Sequence, residues 1–88
     1  MNKLDSLKRK IKYRSEYRGT KEMDLLLGTF VKKYVDTLSQ KELMDLYQIL
    51  EIEDEIISKW YFEKKNRNII PINKVTKLLK NFKIDLEI

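Results

Sequence analysis

Apolar residues recur every three or four positions along almost the whole of this 88-residue chain. Only four short stretches interrupt the pattern: "RGT" at residues 18–20, "LSQ" at 38–40, "EIED" at 51–54 and "NIIP" at 68–71. Such spacing lays one apolar stripe along a helix of 3.6 residues per turn, whereas a half-buried strand needs strict alternation. With two glycines and one proline in the chain, few positions can stop a helix outright. The pattern therefore predicts an all-α protein, a small five-helix bundle. It is expected to form a single domain over residues 1–88, with the last few residues as a flexible tail.

Residues 3–16 read as the first helix, with Leu4, Leu7 and Ile11 on its apolar side and basic residues between them. Gly19 is expected to end it, because glycine enters the left-handed conformation that closes helices at little cost. Thr20 can then cap the second helix, with Glu22 and Asp24 in its positive first turn. That helix is expected to run to about Val35 on a broad face of Met23, Leu26, Leu27, Phe30, Val31 and Tyr34, continued by Leu38. Gly28 falls inside it, where glycine costs about 1 kcal/mol against alanine. Close approach by a neighbouring helix would offset that cost.

"LSQKEL" is the clearest local signal. Ser39 and Glu42 have the spacing of a capping box, and Leu38 and Leu43 that of a hydrophobic staple. The third helix then carries Leu43, Leu46, Tyr47 and Leu50. Asp54 reads as the cap of a fourth helix on Ile56, Ile57, Trp60 and Tyr61, with Trp60 as a core anchor. Pro71 disfavours helix at Ile70, and a short fifth helix follows from Asn73 to about Phe82 on Val75, Leu78 and Leu79. The tail "KIDLEI" alternates like a strand without a partner and is read as coil.

Composition removes most chemistry. The chain has no cysteine and no histidine, which excludes Cys/His zinc sites, thiol chemistry and histidine acid–base catalysis. No apolar stretch approaches the roughly 20 residues that span a bilayer, and the N-terminus lacks the apolar core of a secretory signal. The acidic turn "EIEDE" lacks the alternating ligands and glycine of a calcium loop, so capping explains it better.

Charge is segregated. Residues 1–21 sum to +6, residues 22–63 to −6 and residues 64–88 to +5, within a net charge of +5. The N-terminal cluster of Lys8, Arg9, Lys10, Lys12, Arg14, Arg18 and Lys21 offers one reading, a small basic nucleic-acid-binding or antitoxin-like regulator. An acidic centre between basic ends argues instead for a protein partner. Tyr13 and Tyr17, four residues apart, offer stacking platforms but are expected to serve in packing.

One further pattern carries more information. The segment Arg18-Gly19-x-x-Glu22-x-Asp24-Leu25 resembles the Arg-Gly-x-x-Glu signature of the FAD assembly factors of succinate dehydrogenase, the SdhE family. The register continues through Phe30, Leu38-Ser39, Glu42-Leu43, Tyr47, Leu50, Asp54 and Trp60, and covers residues 14 to about 62. Thr20 departs from the methionine common at its position in the family. The resemblance implies a five-helix bundle that binds the flavoprotein subunit of succinate dehydrogenase or fumarate reductase. There it would promote covalent attachment of FAD to a histidine of that subunit. It further implies a partner-binding surface of Arg14, Arg18, Gly19, Glu22 and Asp24, no catalysis and no cofactor of the chain's own. The free protein is expected to be a monomer, in the cytoplasm of a bacterium or the mitochondrial matrix of a eukaryote.

Overall fold

In the computed structural model, which describes residues 2–84, the helices are α1 (Lys3–Ser15), α2 (Lys21–Tyr34), α3 (Gln40–Leu50), α4 (Asp54–Glu63) and α5 (Lys74–Asn81). The expectation of a small all-α bundle is borne out. The coil reading of the last residues falls largely on 85–88, outside the described part.

Caps set most of the boundaries. The Asn2 side chain accepts the Asp5 N–H, and Thr20 Oγ1 accepts the Met23 N–H. Ser39 and Glu42 close the expected capping box, each side chain bonded to the other's backbone N–H. Asn73 and Thr76 form a second, reciprocal box at the start of α5. Each box satisfies two N–H groups that a helix N-terminus otherwise leaves unpaired.

One cluster of buried residues spans all five helices. It runs from Ile11 on α1 through Met23, Leu26, Leu27, Phe30 and Val31 on α2 to Leu43, Leu46, Ile49 and Leu50 on α3. Ile57 and Trp60 on α4, Val75 and Leu79 on α5, and Val35, Ile70 and Phe82 outside the helices complete it. α1 packs against α2 and α3, and α3 packs against α5. Phe30 is fully buried, and its ring meets those of Tyr34 (4.8 Å) and Phe82 (5.4 Å, edge to face), joining α2 to the end of α5. Tyr61 donates to the Phe82 carbonyl, and burial pushes its phenol pKa up. Lys74 pairs with Glu42 at 3.1 Å, joining the starts of α5 and α3. Trp60 is 6% exposed, as a core anchor should be.

Three local readings are corrected. No glycine takes the left-handed conformation. The chain turns instead at Tyr17 (φ 57°), and again at Lys64 and Asn66 after α4. Asp54 does not cap α4. Glu53 occupies the cap position without a side-chain bond, and Asp54 is the first helical residue. Tyr13 and Tyr17 do not pack into the core; they are 70% and 81% exposed. The expected close approach at Gly28 is met by the Ser15 carbonyl of α1, but loosely. An added Cβ would lie 3.8 Å from that oxygen, an ordinary contact.

Candidate functional site

α1 stops at Ser15, and five residues carry the chain to α2. α3 ends nearby at Leu50 without a basic residue in its last turn, so the negative end of its dipole has no local cation. Arg18 supplies one from the α1–α2 turn. Its Nη1 donates to the carbonyls of Leu50 (2.8 Å) and Arg14 (2.9 Å), and its Nη2 to that of Ile52 (3.1 Å). Nε donates to Asp54 Oδ1 at 2.7 Å, and Nη2 lies 2.6 Å from the same oxygen. Every guanidinium nitrogen is engaged within the chain, and the side chain is 10% exposed. One arginine thus joins the ends of α1 and α3 to the start of α4.

The backbone beside it is held as firmly. The Arg18 N–H donates to the Asp24 carboxylate, and the Gly19 N–H donates to the other oxygen of Asp54. A Cβ on Gly19 would stand 3.0 Å from that oxygen. The glycine thus leaves room for a carboxylate to reach the main chain and does not serve a left-handed turn. A bulky residue at positive φ, such as Tyr17, costs about 1–3 kcal/mol and persists only where its surroundings over-determine it. The bonds from Asp24 and Asp54 to the next two residues do that here.

All five residues expected to bind a partner gather at this junction, in unequal roles. Arg18 and Asp24 are engaged internally. Arg14 pairs with Glu51 at 3.2 Å on the surface, and its guanidinium stands 6.0 Å from the centre of the Tyr47 ring. Glu22 is exposed in the first turn of α2 and makes no hydrogen bond or ion pair among the described residues. Gly19, Lys21, Tyr13 and Tyr17 are exposed as well. A groove of about 560 Å³ separates Tyr13 and Tyr17 from the α3–α4 corner at residues 50–54.

Two elements of the site were read otherwise from the sequence. Asp54 lay within the matched pattern, but its 36-residue separation from Arg18 gave no sign that the two pair. The exposure of Tyr17 goes with α1 ending at Ser15, which takes it off the helix, whereas Tyr13 lies on the outer face of α1. Three residues of the basic cluster are paired, Lys8 with Asp36 at 3.2 Å, Arg14 with Glu51 and Arg18 with Asp54, while Arg9, Lys10, Lys12 and Lys21 have no ion-pair partner among the described residues.

The fold and this junction define a small helical bundle whose turn is braced from three helices and has the exposed carboxylate of Glu22 beside it. Comparison with known proteins gives that class its family. The family described as "flavinator of succinate dehydrogenase" matches residues 9–83, and the chain belongs to it. It is 36% identical over 85 residues to the FAD assembly factor SdhE of Acetobacter pasteurianus, covering 97% of this chain and 75% of that one. It is 37% identical over 68 residues to the mitochondrial succinate dehydrogenase assembly factor 2 of Meyerozyma guilliermondii (77% and 49% of the two chains). The corresponding Dictyostelium discoideum protein is 33% identical over 64 residues (73% and 45%). The chain thus spans three quarters of the bacterial relative and about half of these two mitochondrial ones. No solved structure matches it. The resemblance read from the sequence is borne out, and with it the function of an assembly factor in flavinylation of succinate dehydrogenase. No helix among the described residues is long and apolar enough to cross a membrane.

Proposed function

We propose that this protein docks as a monomer on the flavoprotein subunit of succinate dehydrogenase, or of fumarate reductase, through the α1–α2 junction. Held in that complex, the flavoprotein keeps its flavin and acceptor histidine aligned, and the covalent bond forms within the flavoprotein. The assembly factor contributes position, not catalytic groups, and the FAD belongs to the partner. The bacterial cytoplasm or the mitochondrial matrix, wherever the flavoprotein folds, is the expected setting.

The observation that carries this reading is the division of labour around Arg18. With Arg18, Asp24 and Asp54 joined to one another, the turn is rigid and its geometry is paid for before any partner arrives. Glu22, free and exposed on that rigid turn, is placed to accept charge-assisted hydrogen bonds from a partner's arginine or backbone N–H. Gly19 keeps the surface beside it flat.

The test is flavin covalently bound to the flavoprotein in cells that lack the native factor and carry each variant. Glu22→Ala is expected to fold normally, since one first-turn carboxylate contributes about 0.3–1 kcal/mol through the helix dipole. It is expected to lose most of the flavinylation. Gly19→Ala, which presses a methyl on Asp54, should lose activity as well. Full flavinylation with a well-folded Glu22→Ala protein would refute the proposal.

A further inference from the structure

Gly28 is a glycine the fold does not require. It lies inside α2 with ordinary helical backbone, where alanine would be the better helix former. A methyl group there would meet only the Ser15 carbonyl, at 3.8 Å, so nothing in the bundle forbids it. Gly19 differs, because Asp54 occupies the space beside it.

What Gly28 does open is a surface groove of about 750 Å³ between the end of α1 and the outer face of α2. Leu25, Gly28, Thr29 and Lys32 line one side at i, i+3, i+4 and i+7, the spacing of a single helix face. Tyr17, 81% exposed, and Leu25, 41% exposed, form apolar walls that the fold leaves uncovered. Lys12, Lys21 and Lys32 stand around the rim, and none of them has an ion-pair partner among the described residues. Two carboxylates, Glu16 and Asp24, share the rim with these three ammonium groups, so it carries a net charge of +1, and Asp24 already accepts the Arg18 N–H. The groove also shares Glu16 and Tyr17 with the one beside the Arg-Gly turn, so the two form a continuous surface.

We infer that this groove is a second contact for the flavoprotein, receiving a segment that presents an apolar side chain flanked by carboxylates. The inference rests on the docking role proposed above. The apolar side chain lies between Tyr17 and Leu25 over Gly28, and the carboxylates meet Lys12 and Lys32. Gly28 thus sets the depth of the groove, and any larger residue fills the space the partner needs. The stability lost by placing glycine in a helix is exchanged for access.

The experiment measures calorimetric affinity of the full chain for the purified flavoprotein subunit, with thermal melts and light scattering of each variant. Gly28→Ala should melt at or above the parent temperature and bind more weakly. Gly28→Leu, whose side chain enters open space, should stay folded and bind at least about tenfold more weakly, the scale of a blocked interface pocket. Lys12→Glu with Lys32→Glu should also lose about tenfold or more at low salt, a gap that narrows as salt is added. Folded Gly28→Leu that binds within about twofold of the parent, while Glu22→Ala binding fails, would overturn the groove and leave the proposed function standing. A parent protein that does not bind the flavoprotein would overturn both. A parent dimer that Gly28→Leu dissociates would assign the groove to a second copy of this chain and overturn the inference.

Discussion

Replacing Arg18 separates bracing from docking. Arg18→Ala removes the ion pair with Asp54 and the bonds to the carbonyls of Arg14, Leu50 and Ile52 at once. Hydrogen bonds to charged groups contribute about 1.5–3 kcal/mol, and removing one partner of a buried pair costs about 3–5 kcal/mol. The Asp54 side chain is 21% exposed, so water recovers part of that loss; about 3 kcal/mol is expected. A domain of this length is stabilised by roughly 4–13 kcal/mol in all, so the change is large. At about 4–8 °C per kcal/mol, the midpoint should fall by roughly 12–24 °C in a thermal melt followed by circular dichroism. Arg18→Lys keeps the charge but not the fork, which cannot span Asp54 and the end of α3 together, and should lose about half as much. Arg14→Ala is the control. Its pair with Glu51 is nearly half exposed on both sides and contributes less than about 1 kcal/mol. If Arg18→Ala and Arg14→Ala melted alike, Arg18 would not be a brace, and its place in the motif would have to be explained by the partner.

Two further outcomes are expected. Phe30→Ala, which removes a fully buried ring in contact with Tyr34 and Phe82, should cost about 3–5 kcal/mol in urea unfolding; a parent-like midpoint would refute the α2 core face. The Glu42 pKa is held below its ordinary value, first by the Ser39 N–H and then by Lys74. A depressed carboxyl stabilises the fold above its unfolded value, about 4.3, and loses that contribution as pH falls through the folded value. Melts of the parent and Glu42→Gln should therefore differ at pH 7 and converge in acid below about pH 4; a constant gap would refute the linkage.

The helices were legible because their signals are local. Ser39 with Glu42, Thr20 and Asn73 each act on backbone within three residues, and the apolar period repeats within each element. The junction was not legible to the same depth. That Arg18 turns inward depends on α3 ending beside it with no cation of its own, and on Asp54 arriving from 36 residues away. A glycine after an arginine at the end of an amphipathic run reads locally as a left-handed stop. Here the stop comes two residues earlier, at Tyr17, and the glycine is reserved for the close approach of Asp54. Such a substitution of one reason for another is invisible to spacing, because both place a glycine at the same position.

The same logic bears on why Arg18, within the proposed docking surface, is engaged internally. Were Arg18 free, its long side chain would have to be ordered on binding, at about 0.5–1.5 kcal/mol for an immobilised side chain, and the turn with it. Ordered beforehand by Asp54 and the end of α3, it asks nothing of the partner. The main-chain positions that it fixes are those of Gly19 and, through Asp24, the first turn of α2. Glu22 sits on that turn, so the backbone position from which its carboxylate reaches out is set by contacts it does not make itself. In the proposed complex the partner meets an exposed acid whose backbone is held in place. A held backbone limits where that carboxylate can reach, and with it the donors of the proposed partner that it can meet. In the proposed docking, Arg18 and Glu22 contribute to one recognition event through different physics, the first by bracing the backbone and the second by contact.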